Sequence, residues 1–338
     1  MLLRAIRSFT NTASTTTNLL LKSSSTITTT TTTHLIIKRT MSSLNTTASA
    51  NLFVQPQWLN EHLNNVKVID ASWYMPHENH NIRKEFEEAH IQSAVLFDID
   101  EVCDKTVNLP HNLPSVDFFQ QEVGARLGIS SDDHVVIYDT RGTYVASARA
   151  WWTFLTFGHN PDKLSILFGG LPAWQRAGLP TVQGKIAPAA QPATYKATFN
   201  PSMVKTRADL ENNMNDKKYQ VVDARVADRF YGRVDEPRAG LRRGHIPGAL
   251  NVPWVEIVNN AQGGYQDKDK VLALFKTNGI DVNKPVLTTC GSGTTAAVLT
   301  LGLYSFGYPL APIYDGSWSE WGQVGLDTPV ETDVPKTN

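Results

Sequence analysis

The sequence predicts an α/β protein of two tandem duplicated domains, each a mainly parallel sheet flanked by helices. Three observations predict it. The 338-residue chain is 41% hydrophobic and 19% charged, the composition of a globular protein of about two domains. Short β-branched runs alternate with longer segments of helical pattern, as βαβ units require. From about residue 51 the sequence matches itself at a separation near 150.

Four anchors carry the repeat. Val66-Lys-Val-Ile-Asp70-Ala71 returns as Tyr219-Gln-Val-Val-Asp223-Ala224, an apolar strand ending in Asp. Glu88-Ala-His90-Ile91-Gln-Ser-Ala94 returns as Arg243-Gly-His245-Ile246-Pro-Gly-Ala249. His134-Val-Val-Ile-Tyr-Asp139, with Ala148-Arg-Ala-Trp-Trp152 after it, answers Lys284-Pro-Val-Leu-Thr-Thr-Cys290, with Ala296-Ala-Val-Leu299 after it. Gly170-Leu-Pro-Ala-Trp174 answers Ser317-Trp-Ser-Glu-Trp321. The offsets of 153, 155, 151 and 147 keep both order and spacing, which chance does not.

The elements follow in chain order. Residues 1–40 hold Arg4, Arg7, Lys22, Lys38 and Arg39 beside a Ser/Thr run, and the first acid of the chain is Glu61. That is the composition of a mitochondrial transit peptide, expected to be an address and not part of the fold. A start at Met41 would omit it and leave a cytosolic product. The first domain is expected over residues 51–180, with strands at 66–70 and 135–137 and a helix at 118–127. Residues 181–200 carry Pro188 and Pro192 with little periodicity and read as an extended linker. The second domain is expected over 201–330, with a helix at 268–277 and a strand around Val286 and Leu287. Residues 285–314 form a thirty-residue stretch without charge. A Gly-Ser-Gly turn and Pro309 and Pro312 interrupt it, leaving an apolar helix of about 13 residues where a membrane span needs about 20. It reads as a buried strand, a loop and a buried helix, so no membrane partner is expected. The paired His90 and His245 and the tryptophans 151, 152, 174, 318 and 321 read as structural.

A net charge of −1 argues against nucleic acid as a partner, which would require a basic face. Two cysteines without a CxxC pair exclude a disulfide framework and a four-cysteine zinc site. Cys103 lies among carboxylates, which disfavour a thiolate. Cys290 has the opposite setting. It follows an apolar strand and precedes Gly-Ser-Gly-Thr-Thr and a helix, at the strand ends where open parallel sheets bind ligands. N–H groups of such a turn and the helix N-terminus stabilise an anion there, and a thiolate so placed is a nucleophile. The C-x5-R arginine of cysteine phosphatases is missing, since Ala296 stands sixth after Cys290. GxxxxGK and GxGxxG phosphate-binding turns are also missing.

The duplicated unit, with Cys290 in the second copy and Asp139 at the matching place in the first, resembles the two-domain rhodanese family of sulfurtransferases. The resemblance covers residues 51 to about 325. Cys290-Gly-Ser-Gly-Thr-Thr-Ala296 is similar to the loop of the mercaptopyruvate-using members (CGSGVTA), differing only at Thr294, and departs from the thiosulfate-using loop (CRKGVTA) at Gly291 and Ser292. Asp70-Ala-Ser-Trp-Tyr74, Phe97-Asp-Ile-Asp100, Arg229-Phe230 and Tyr314-Asp-Gly-Ser-Trp318 also look like that branch.

The resemblance implies rhodanese-like domains, no metal or organic cofactor, and sulfur transfer from 3-mercaptopyruvate through a Cys290 persulfide. The acceptor would be cyanide or a thiol, such as thioredoxin or a low-molecular-weight thiol. It implies that Arg229, Arg238, Gly291, Gly293, Thr294 and Thr295 bind the donor, and that Asp100 and His111 of the first copy reach Ser292 to form an Asp-His-Ser relay. Charge supports the choice of donor. Thiosulfate is a dianion suited to a loop with Arg and Lys, whereas a single carboxylate suits arginines outside a neutral loop. Arg233 reads as a surface charge. A thiosulfate sulfurtransferase and a persulfide carrier without turnover are the alternatives.

Overall fold

The computed structural model describes residues 52–186, 189 and 191–333. The expected transit segment, 1–40, lies outside the described residues.

Two five-stranded sheets divide the chain. The first contains β1 (Phe53–Val54), β2 (Lys67–Asp70), β3 (Ala94–Leu96), β4 (Val135–Tyr138) and β5 (Leu164–Leu167) in the order β1-β5-β4-β2-β3. The second contains β6 (Val204–Lys205), β7 (Gln220–Asp223), β8 (Leu250–Asn251), β9 (Val286–Thr289) and β10 (Ile313–Tyr314) in the matching order β6-β10-β9-β7-β8. Every pairing is parallel, as in Val68 beside Val136 and Val222 beside Thr288. Parallel strands are covered on both faces and so read as continuous apolar runs. β4 and β9 are buried along their whole length.

Helices flank the sheets. The first half has α1 (Pro56–His62), α2 (Ile82–Glu88), α3 (Val116–Gln120), α4 (Val145–Thr156) and α5 (Gly170–Arg176). The second has α6 (Arg207–Asp216), α7 (Ala227–Phe230), α8 (Trp254–Ile257), α9 (Lys268–Thr277), α10 (Thr294–Ser305) and α11 (Ser317–Trp321). The helix expected over 118–127 is not one regular helix. α3 passes into a π-helical segment over Gln121–Arg126, where the backbone at Gly124 meets the linker and the carbonyls of Gly124 and Arg126 accept from Ala193 N and Ala189 N. The linker also bonds to the first domain through Val182 with His90 and Thr198 with Phe157.

α4 and α10 pack against each other between the two sheets. All twelve residues of α4 and ten of the twelve of α10 are buried, so both helices are covered nearly all round. One apolar cluster therefore runs through both halves, from Ile137 and Trp151 to Leu299 and Ile313. At roughly 1.5–3 kcal/mol per buried large apolar side chain, this layer holds the halves together. The uncharged stretch 285–314 resolves into β9, a loop, α10 and β10, and among the described residues no helix is long and apolar enough to cross a membrane. His90 and His245 play matching structural parts. Each pairs through Nδ1 with a backbone carbonyl, of Phe86 or Phe230, and stacks on that phenylalanine ring.

Candidate active site

Chain connectivity places the site. After β7 the chain moves to β8 on one side, and after β9 it moves to β10 on the other, so the loops leaving β7 and β9 diverge and open a crevice. Arg225 and Arg229 come from the first loop and Cys290 from the second. Cys290 is 2% exposed. Its carbonyl accepts from Trp318 N at 3.0 Å, and the Gly291 carbonyl accepts from Ser319 N at 2.8 Å and Ser319 Oγ at 2.7 Å, so α11 fixes the loop from behind. The N–H groups of Gly291, Ser292 and Gly293 have no protein acceptor among the described residues. Gly293 turns the chain into α10 with φ of 76°, a left-handed conformation that suits glycine.

The sequence-predicted relay residues meet across the two halves. His111 Nδ1 lies 3.0 Å from Ser292 Oγ and 3.1 Å from Thr294 Oγ1, and His111 Nε2 lies 2.9 Å from Asp100 Oδ1. Trp73 Nε1 donates to Asp100 Oδ2 at 2.9 Å, and its ring stands edge-on to the imidazole. Burial works to raise the Asp100 carboxyl, but the hydrogen bond and charge of His111, with Trp73 and Lys105, hold it below its ordinary value. Burial pushes His111 below its ordinary value, and Asp100 opposes only part of that. A carboxylate facing a neutral imidazole makes Nε2–H the donor to Asp100, which leaves Nδ1 to accept the hydroxyl proton of Ser292 or Thr294. This arrangement can take a proton from a group at Ser292 and pass it toward Asp100, whose side chain is 58% exposed.

A second network holds the cations. Arg229 lies on α7, a single helical turn in the connection that follows β7. Its guanidinium donates to Glu236 at 2.5 and 3.2 Å. Glu236, whose side chain is 1% exposed, also accepts from Arg225 at 2.9 Å, and Arg225 forks onto Asp223. Sequence reasoning missed Glu236 and Arg225. The signal was an acid between the two selected arginines and an arginine two residues past a buried strand-end Asp. In the first copy the equivalent Asp70 faces Ser72 instead, and burial with no cation beside it pushes Asp70 up to about 6. A Cβ on Gly291 would lie 3.0 Å from Arg229 Nη2 and 4.0 Å from Arg238 Nη1, so the small residue lets both guanidiniums stand against the loop. Arg233 pairs with Asp228 and Asp333 at the surface.

Cys290, Gly291, Ser292, Thr294, Thr295, Arg229 and Arg238 line one cavity of about 190 Å3, while Gly293 does not reach it. The first half closes it with Trp73 and with Arg141, which pairs with Glu78 and covers the Tyr74 ring. Asp100 and His111 face a second cavity of about 660 Å3, separated from the first by Arg238, which lines both. Cys103 borders the second cavity, and its thiol is pushed up mainly by burial, with Lys105 opposing. Asp139, at the place matching Cys290, accepts from Gly142 N and from Ser147 N and Oγ, and so caps its own loop.

The profile of the rhodanese-like domain matches residues 55–177 and 206–323, one match around each sheet. The chain belongs to the rhodanese family. Its rhodanese domains are similar to those of 3-mercaptopyruvate sulfurtransferase from Homo sapiens, 42% identical over 276 residues that make up 79% of this chain and 91% of the relative. The thiosulfate/3-mercaptopyruvate sulfurtransferase 1, mitochondrial, of Arabidopsis thaliana is 36% identical over 311 residues, 86% of this chain and 80% of the relative. Among solved structures, SseA from Escherichia coli, described as a 3-mercaptopyruvate sulfotransferase with the rhodanese fold, superimposes with a TM-score of 0.71 at 39% identity, covering 80% of this chain and all of that one.

Proposed function

We propose that this rhodanese-family protein moves sulfur from 3-mercaptopyruvate to a thiol acceptor through a persulfide on Cys290, releasing pyruvate. The observation that carries the reading is the Asp100–His111–Ser292 chain ending at the Cys290 loop, with two arginines standing against Gly291. Arg229 and Arg238 hold the donor's carboxylate and keto oxygen in fork geometry. The Cys290 thiolate attacks the donor sulfur. The S–S bond forms as the C–S bond breaks, and the electron pair passes to carbon as the enolate of pyruvate. The donor's thiol proton, carried by Ser292 and His111, ends on that carbon. An acceptor thiolate then attacks the outer sulfur, the persulfide S–S bond breaks, and its electron pair returns to Cys290. Thioredoxin and low-molecular-weight thiols have the chemistry of the acceptor, with cyanide as an artificial one.

In this reading the domain over 201–330 carries the nucleophile and the domain over 51–180 supplies the proton relay. The basic, hydroxyl-rich segment 1–40 directs import into mitochondria, and a start at Met41 yields a cytosolic form. A reporter fused to 1–40 tests this address and is overturned by a wholly cytosolic signal.

A paired assay tests the chemistry: pyruvate release from 3-mercaptopyruvate against thiocyanate release from thiosulfate, each with a small-molecule acceptor. The proposal expects a clear preference for mercaptopyruvate. Equal or better turnover of thiosulfate would make the protein a thiosulfate sulfurtransferase, and persulfide formation without turnover would make it a carrier.

A further inference from the structure

We propose that Arg149, buried in the central helix of the first domain, is a positioning residue that holds His111 in line with Ser292 and makes the relay depend on docking of the two domains. The inference rests on the relay reading above.

Arg149 is the one charged residue of α4, and by the repeat anchors the matching residue of the second copy is Ala297. It is 2% exposed, a setting in which an arginine is costly unless paired. Its Nη2 donates to two acceptors, the His111 carbonyl at 2.5 Å and Asp315 Oδ1 at 2.7 Å. The other oxygen of Asp315, from the second domain, accepts from Leu113 N at 2.8 Å. The turn His111-Asn112-Leu113 is thus tethered at both ends, by Arg149 directly and by Asp315 from across the interface.

The tether acts where the backbone requires one. His111 has φ of 63°, a left-handed conformation that a histidine keeps only when its surroundings impose it. The guanidinium lies over the Trp152 ring at 4.5 Å and presses on the loop carrying Ser292, since a Cβ on Gly293 would collide with Arg149 Nη1. That Nη1 is buried and has no hydrogen-bond partner among the described residues. The apolar α4–α10 contact already joins the domains, so this ion pair is not needed to hold them together. What it adds is a fixed place for His111 against the second domain. The nearby charge of Arg149 also contributes, after burial and Arg238, to keeping His111 neutral.

The test uses Arg149→Lys, which keeps the charge and loses the rigid planar guanidinium that reaches both acceptors, and Asp315→Asn, which keeps the shape and loses the ion pair. Each is made in the full chain, alone and together with His111→Gln. Pyruvate release is expected to fall at least about tenfold in kcat for Arg149→Lys, with KM for mercaptopyruvate changed less than about threefold. In the His111→Gln background the same substitution should change kcat less than about threefold, because nothing remains to be positioned. The 15N resonances of the His111 ring should move in Arg149→Lys while those of His90 stay. If Arg149→Lys melts below the assay range, Asp315→Asn carries the same comparison. An unchanged kcat, or the same loss with and without His111, overturns the role of Arg149. A silent His111→Gln alone overturns the relay reading, and this inference with it.

Discussion

His111 Nδ1 and Ser292 Oγ lie 3.0 Å apart although 181 positions and a domain boundary separate them in the chain. The hydrogen bond exists only because α4 and α10 pack the two domains face to face, and the chemistry proposed for the site depends on it.

The relay predicts coupled losses. Asp100→Asn, His111→Gln and Ser292→Ala should each lower kcat for pyruvate release, by up to the roughly 10²–10⁴-fold typical of general acid–base help. Double substitutions should cost less than the product of the singles, because groups acting as a unit are not additive. Strictly multiplicative losses in steady-state kinetics would separate the three. Ser292→Ala leaves Thr294 within reach of His111, so it should be the mildest.

The pH profile follows from the burial of His111. The relay needs the neutral imidazole, which exists above the pKa of His111, and burial holds that below the ordinary 6.5. The acid limb of kcat/KM should therefore fall below pH 6.5. Asp100 raises His111 through its hydrogen bond and its charge, so Asp100→Asn should move the limb to lower pH while lowering the plateau. A limb moving upward would contradict the assignment.

Glu236 offers a split between binding and chemistry. Glu236→Gln leaves Arg225 and Arg229 without their shared anion, and removing one partner from a buried ion pair costs about 3–5 kcal/mol. The melting temperature should drop. KM for mercaptopyruvate should rise by about tenfold or more, since Arg229 is no longer aimed at the loop, with a smaller effect on kcat.

The two cysteines should separate cleanly. Cys290→Ser is expected to abolish turnover and Cys103→Ser to leave it nearly intact. Mass spectrometry after donor addition should find one extra sulfur on Cys290, and finding it on Cys103 would refute the nucleophile.

The loop glycines should respond differently to alanine. Gly293→Ala places a side chain in a left-handed conformation, at about 1–2 kcal/mol, and drives it into Arg149, so both stability and kcat should fall. Gly291→Ala meets only the end of the Arg229 side chain at 3.0 Å, which can shift. It should fold normally and raise KM. Thermal melts with steady-state kinetics check both.

Much of this protein was legible in its sequence because its information is local or periodic. Apolar runs such as 135–137 and 286–287 mark strands buried on both faces, and the repeated Asp and His-Ile anchors mark a duplication. A glycine-flanked Cys290 at a strand end marks the crevice. The resemblance then pointed to Asp100, His111, Ser292, Arg229 and Arg238, and the structure brings Asp100 and His111 to Ser292 and sets the two arginines against the same loop. What the sequence did not disclose depends on packing between distant segments. The π-helical segment at Gln121–Arg126 lies where the linker bonds to Gly124. Glu236 and Arg225 carry no signal of pairing in the sequence, and burial makes them a network. Arg149 is a charge in an otherwise uncharged helix, and only the docking of Asp315 and His111 around it gives that charge its partners. Periodicity reports which face of an element is buried, whereas the partner of a buried charge is decided by which two elements the tertiary fold places side by side.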